Sequence, residues 1–347
     1  MKMAASVGSL TVVVITFIAF FTFSKADACT RIFWNNNDQA MLVARTMDLS
    51  MNDFPTFYVF PKGIKKNGNA GTNSATWTSM YGSVALAGLG NSNYIVEGVN
   101  TAGLSFHYLF LSATQYELRD QRPGVLQGSY SQYLLDNAAT VSEALDLMQS
   151  QVQLVPESVL GFVWPLHIAM EDAQGDSAVV EFVGGQMVVY HGAEYNVMTN
   201  DPTLDQQIPN LLQYQYFQNG GSLPLPGDVD PKSRFVRASA FLLTLSPPSN
   251  SSDAIYYLLS AIRSESTPFG AVEFSESQPE PSWPTLWTSL FDLTNKAVYY
   301  SHNVARNNFW INMQKLNFSK GAPARYLKAY TPGLAGEVSS LFKPIGK

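Results

Sequence analysis

The chain has a single cysteine in 347 residues, Cys29, and therefore cannot close an internal disulfide. Histidine is scarce too. His107, His167, His191 and His302 stand 24 to 111 residues apart, so no pair has the spacing of a helical metal site. There is no G-x-S-x-G elbow and no P-loop, and Gly88-Leu-Gly90 is too short for a dinucleotide fingerprint. No metal and no other cofactor is expected. Charged residues make up only 14% of the chain, with a net charge of −6, which argues against nucleic acid or an anionic membrane as partner. No internal repeat and no long low-complexity stretch is present.

What is there begins with the N-terminus. Lys2 is followed by LTVVVITFIAFFTF (10–23), an apolar run of 14 residues, too short for a comfortable membrane span and suited to a signal h-region. Ala26-Asp27-Ala28 fits a small-x-small cleavage site. The expectation is a removable signal peptide over 1–28 and a single domain over 29–347, periplasmic or secreted, with no stable membrane insertion after cleavage. Losing Lys2, Lys25 and Asp27 with the leader leaves 19 basic and 26 acidic residues, a net charge of −7. A lipoprotein signal also ends before a cysteine, which would make Cys29 a lipid anchor. Ala26, where such signals usually carry Leu, and Asp27 both argue against it.

Hydrophobic residues at 46% allow a large core. Short stretches rich in β-branched and aromatic residues predict strands at Thr30–Trp34, Met41–Thr46, Thr56–Phe60, Ser83–Ala87, Tyr94–Val99 and Gly103–Leu111. Further strands are predicted at Leu166–Met170, Ala178–Phe182, Met187–Tyr190, Thr285–Asp292 and Ala297–His302. Asn35–Asp38 reads as a hairpin turn. Helices are predicted around Tyr130–Asp136, after the capping box Thr140-x-x-Glu143, after Asp230-Pro231, and after a cap at Ser252 or Asp253. Segments 62–79, 219–232 and 275–284 read as surface loops. Strands joined by short turns, with helices in pairs, predict an α+β fold: two antiparallel sheets stacked between helix layers.

Chemistry has few other places to start than Cys29. On an N-terminal cysteine, nucleophile and base share one residue, and an α-amine with pKa of about 7.7–8.0 can take the thiol proton without a histidine. The next strand supplies Arg45 and Asp48. A guanidinium beside sulfur favours thiolate, and a carboxylate near the amine would orient it. An ordinary surface ion pair explains the same two residues equally well.

Cys29 followed by VARTMD (43–48) resembles the choloylglycine hydrolase family of penicillin V acylases and conjugated bile salt hydrolases, within the N-terminal nucleophile hydrolases. EGVNTAGLSFHYLFL (97–111), LGFVWPLHIAMEDAQGDSAVVEF (160–182), YNVMTNDP (195–202) and LPGDVDPKSRFVR (225–237) extend the likeness over most of the chain in the family's order. The resemblance implies a four-layer αββα sandwich and hydrolysis of a linear amide C–N bond in a hydrophobic acyl amide. The penicillin V or N-acyl-homoserine lactone type comes ahead of conjugated bile salts. It implies Cys29 as nucleophile, flanked by Arg45 and Asp48. The Asn200 side-chain amide and the Phe110 backbone N–H would hold the oxyanion, and Arg234 would support charge in the site. Leu49, Met51, Phe54, Phe57, Phe110 and Trp164 are candidates for an acyl pocket, and a homotetramer is the assembly the likeness suggests. The exported precursor is closest in pattern to Gram-negative members. Where those often carry Trp, this chain has Leu49 and Phe110, so their substrate preference does not carry over. A non-catalytic, lipid-anchored envelope binding protein with the same fold is the competing reading.

Overall fold

The computed structural model describes residues 29–217, 221–274 and 279–346, and the leader expected at 1–28 lies outside them. Two large sheets dominate. The seven-stranded sheet runs, neighbour to neighbour, Val197–Met198, Arg31–Trp34, Leu42–Asp48, Thr285–Asp292, Ala297–His302, Asn307–Asn312 and Ala335–Glu337. The nine-stranded sheet runs Gln186–His191, Ser177–Val183, Leu166–Glu171, Ser105–Phe110, Ile95–Asn100, Ser83–Ala87, Thr56–Phe60, Arg325–Lys328 and Lys343–Pro344. Pairing within these two sheets is antiparallel, apart from Asn307–Asn312 with Ala335–Glu337. Helices lie outside: α1 (Gln127–Asn137), followed by α2 (Val141–Asp146), packs on Ile95–Asn100 of the larger sheet. Helices α4 (Pro231–Thr244) and α5 (Ser251–Arg263) pack on the smaller one; the short α3 (Leu204–Leu211) packs beside α4. This is the αββα sandwich that strand spacing and the family likeness both predicted.

The strand Leu42–Asp48 is buried at every position, because one face meets α5 and the other the facing sheet. Helix starts follow the sequence signals. Asp230 caps α4 by accepting the Lys232 and Ser233 N–H groups, with Pro231 in the first turn, and Thr140 accepts the Glu143 N–H. α5 departs from expectation. Its cap is Asn250, which accepts the Asp253 N–H at 3.0 Å, so Ser252 and Asp253 fall inside the first turn. The segment 62–79 is also not all loop. Lys65–Asn67 pairs with Thr76–Thr78, because Lys66 and Trp77 both reach the buried Asp136 carboxylate, at 3.1 and 2.7 Å, and anchor an otherwise polar hairpin.

Arg31 and Arg45 are direct cross-strand partners in the smaller sheet. Each reaches a carboxyl of the facing sheet. Arg31 pairs with Glu171 and donates to Ser177 Oγ, and Arg45 Nη1 lies 3.5 Å from Glu97 Oε2; all four charged residues are buried. Burial alone would raise the Glu171 pKa, but Arg31 and His107 outweigh it and hold the group down at about 2. A depressed carboxylate stabilises the fold above its unfolded value, and that contribution is lost as the pH falls through the folded one. The stability carried by Glu171 should therefore vanish between pH 4.5 and about 2. Acid unfolding of Glu171→Gln should lack that component. Arg31→Ala, which strands a buried carboxylate, should cost about 3–5 kcal/mol in urea unfolding, and pairing Arg31→Met with Glu171→Leu should recover most of it.

Candidate active site

Strand register gathers the candidate residues. Arg31 pairs with Arg45 on one side and with Met198 on the other. Extending both registers two residues toward Cys29 puts Met47 opposite it on one flank and Asn200 on the other. The Asp48 N–H then donates to Cys29 Sγ at 3.5 Å, and Arg45 Nη2 lies 3.9 Å from the same sulfur. Cys29 N donates to Asn200 Oδ1 at 2.6 Å. Arg234, in the first turns of α4 and fully buried, donates to that same Oδ1 at 3.0 Å, to the Cys29 carbonyl at 2.6 Å and to Thr30 Oγ1 at 2.8 Å. Two donors on one side of the Asn200 amide fix its orientation, so Nδ2 points the other way and donates to the Phe110 carbonyl at 2.8 Å. One Nδ2 hydrogen remains.

Phe110 lies where two strands part. Pairing of Ile95–Asn100 with Ser105–Phe110 stops at Glu97 and His107, while the next residue, Leu111, is still bonded to Pro165. In an antiparallel ladder this parity turns both the N–H and the C=O of Phe110 away from Leu166, toward the open side. The carbonyl takes Asn200, and the N–H meets no partner strand there.

Electrostatics run against a resting thiolate. Burial, and next the Asp48 carboxylate, push the Cys29 thiol up to about 12 against the pull of Arg45, the Asp48 N–H and Arg234. The guanidinium beside the sulfur does favour the thiolate, but desolvation is the larger effect. Asp48 itself is pushed up to about 6 by burial, opposed first by Arg234 and then by threonine hydroxyls and Arg45. Its Oδ2 accepts from Thr46 Oγ1 at 3.1 Å, whereas Oδ1 is buried with no hydrogen-bond partner.

Cys29 lies in the wall of a cavity of about 40 Å³ formed almost wholly by carbon, with Leu49, Phe110 and Trp164 in its lining. Three other expected pocket residues are elsewhere. Phe57 is fully buried between the sheets, edge-on to Tyr300 at 5.1 Å, because strand alternation turns it into the core. Asn52 Oδ1 accepts the Phe54 N–H at 3.0 Å, and this turn, with Phe54 at a φ of 48°, sends its ring outward against Tyr330. Met51, in the same turn, is also exposed. Residues not foreseen also line the wall, among them Leu89, Tyr94, Tyr108, Leu166 and Trp283. Trp283 meets Phe110 edge-to-face at 5.7 Å. Tyr108 and Phe110, two apart on one strand, share a face and could have been found together; Trp283 gave no such signal. Among the described residues no group of three or more His, Cys, Asp or Glu is placed to hold a metal ion, and no helix is long and apolar enough to cross a membrane.

The model of the family described as linear amide C–N hydrolases, choloylglycine hydrolase family, matches residues 29–326. The penicillin V acylase of Pectobacterium atrosepticum is 32% identical over 345 residues, covering 91% of this chain and 90% of that protein. A bile salt hydrolase/transferase of Clostridium perfringens is 26% identical over 313 residues, covering 81% and 90%. Among solved structures, the penicillin V acylase of Agrobacterium tumefaciens superposes with a TM-score of 0.80 at 35% identity, over 92% of this chain and 98% of that one. The chain therefore belongs to the choloylglycine hydrolase family and is a linear amide hydrolase.

The two charges flanking the sulfur act in opposite directions, which alkylation can read. At about pH 9 the rate of modification by iodoacetamide follows the thiolate fraction of Cys29. Asp48→Asn should speed it, since the carboxylate raises the thiol pKa, and Arg45→Gln should slow it, each by about tenfold. The reverse order would contradict this geometry.

Proposed function

We propose that this linear amide hydrolase cleaves hydrophobic acyl amides through Cys29 as an N-terminal nucleophile, after removal of residues 1–28 as a signal peptide in the periplasm or during secretion. The observation that carries the reading is the pair of contacts on Cys29: its nitrogen on Asn200 Oδ1 and its sulfur between Arg45 and the Asp48 N–H. A peptide nitrogen has one hydrogen, and Asn200 takes it. Asp48 Oδ1 is buried without a hydrogen-bond partner, and we read it as an acceptor for the further hydrogens of a free α-amine. The protonated thiol supports the same conclusion. A sulfur held at about 12 needs a base at the moment of attack, and an α-amine of pKa about 7.7–8.0 is suited to that task.

The proposed steps use these contacts. The amine takes the thiol proton as sulfur attacks the amide carbonyl. The oxyanion is held by the spare Asn200 Nδ2 hydrogen and the Phe110 N–H. Collapse breaks the C–N bond, and the α-ammonium returns its proton to the leaving amine. Water then adds to the thioester, and sulfur leaves to release the acid and restore the thiol. Arg234 fixes Asn200 and the Cys29 carbonyl, so its charge acts through them.

The small size of the carbon-lined cavity supports a compact apolar acyl group, as in penicillin V or an N-acyl-homoserine lactone, ahead of a steroid acid. A lipid-anchored Cys29 fits poorly, because the residue is buried with its sulfur at a cavity of about 40 Å³.

The purified exported protein should have an intact mass beginning at Cys29 and should turn over at least one of penicillin V, an N-acyl-homoserine lactone or a conjugated bile salt. Cys29→Ala should abolish that turnover, and Asn200→Ala should lower kcat by about 10²–10³. Activity should rise with pH through about 6 as Asp48 loses its proton and can hold the ammonium. A mass that retains Ala28, or carries lipid, would sink the mechanism.

A further inference from the structure

Arg45 is oriented mostly by neutral groups: its Nε donates to the Thr46 carbonyl at 3.2 Å, Nη1 to the Val96 carbonyl at 3.4 Å, and its guanidinium lies over the Trp287 ring at 5.2 Å. Trp287 in turn donates to Asp53 at 2.8 Å. Among the described residues, the acidic group that Arg45 reaches at ion-pair distance is Glu97, across the sandwich at 3.5 Å. One oxygen of Glu97, Oε2, gathers three groups: Arg45 Nη1, His107 Nδ1 at 3.2 Å and Ser289 Oγ at 3.1 Å. The other, Oε1, is buried without a hydrogen-bond partner.

His107 stands directly opposite Glu97 in the larger sheet. Its Nε2 lies 3.2 Å from Glu171 Oε2, close enough for charge attraction though not aligned as a hydrogen bond, and its ring stacks on Phe291 at 5.3 Å. Burial alone would strip the imidazole of its proton, but Glu171 and Glu97 outweigh it and raise its pKa. Arg31, Glu171, His107, Glu97 and Arg45 thus form a buried row in which basic and acidic residues alternate, and it ends 3.9 Å from sulfur.

We propose that Glu97 and His107 are positioning residues for Cys29, setting from the opposite sheet how closely the Arg45 guanidinium approaches the sulfur. Sharing Oε2 is the working part. While His107 and Ser289 occupy that oxygen, Glu97 draws on Arg45 only in part, and Nη2 stays on the sulfur side. Without His107, Oε2 loses one of its three partners and attracts the guanidinium more strongly. That change raises the proton affinity of the thiol. The inference rests on Cys29 being the reactive residue, but its readout does not depend on which amide is cleaved.

The test is iodoacetamide alkylation of Cys29 in the mature enzyme at about pH 9, beside kcat and KM on any amide that is turned over. His107→Gln should slow alkylation about tenfold, as the thiolate fraction falls, and lower kcat similarly with KM little changed. A purely structural role would lower the melting temperature and leave the alkylation rate of the folded protein unchanged, and that result overturns the proposal. If His107→Gln does not fold, Ser289→Ala takes its place. It removes one donor from the same oxygen and should slow alkylation about two- to threefold, and an unchanged rate overturns the proposal. A protein that hydrolyses no amide but shows the expected alkylation changes would count against the proposed substrate and leave this inference standing.

Discussion

Two arginines opposite one another in one sheet, Arg31 and Arg45, answered by two glutamates of the facing sheet, Glu171 and Glu97, are the constraint on which the rest of the structure turns. Packing of the carbon core drives the two sheets together but is non-directional, and many relative placements would bury similar area. Charges are less forgiving. A buried cation left without its carboxylate costs several kcal/mol, so placements that separate these pairs are penalised strongly. Such pairs add little net stability over an apolar core of the same shape, and their role here is to choose one stacking of the sheets. That stacking carries Arg45 to the sulfur.

The second constraint is register. Cys29 receives Asp48 N–H and Arg45 from one neighbour strand and Asn200 from the other, so the candidate site is a row across three adjacent strands. A slip of one residue in either pairing would turn the incoming side chain to the opposite face. The helix α4 locks the row from outside: Thr199 Oγ1 donates to the Pro231 carbonyl at 3.0 Å, and Arg234 ties Asn200 to Cys29.

Much of this was legible in the sequence, and the reasons are local. Asp230-Pro231 and Thr140-x-x-Glu143 announce helices because caps act through neighbouring residues. The late strands Thr285–Asp292 and Ala297–His302 stand out for the same reason, being short apolar runs around a turn. Less legible was anything set by the stacking of sheets. Leu42–Asp48 is buried on both faces, so its pattern does not say which side chains meet the other sheet. Glu97 and His107 face each other on neighbouring strands, but Arg45, Ser289 and Glu171, which complete their contacts, come from strands far away in sequence. Trp283 reached the cavity from a segment that composition marks as surface. Phe54 and Phe57 are equally aromatic on paper, yet a turn exposes one and strand alternation buries the other.

The cavity beside Cys29 has a thermodynamic consequence. About 40 Å³ accommodates a water or two, against roughly 300 Å³ or more for a typical small-molecule site. A larger group could be seated there only if lining residues such as Leu49, Leu89, Phe110 or Trp283 gave way, and part of its binding energy would then be spent on opening. If the open form is a fraction f of the population, the apparent dissociation constant is the intrinsic one divided by f. Affinity could then be tuned by residues that never touch the acyl chain, through the balance between closed and open walls.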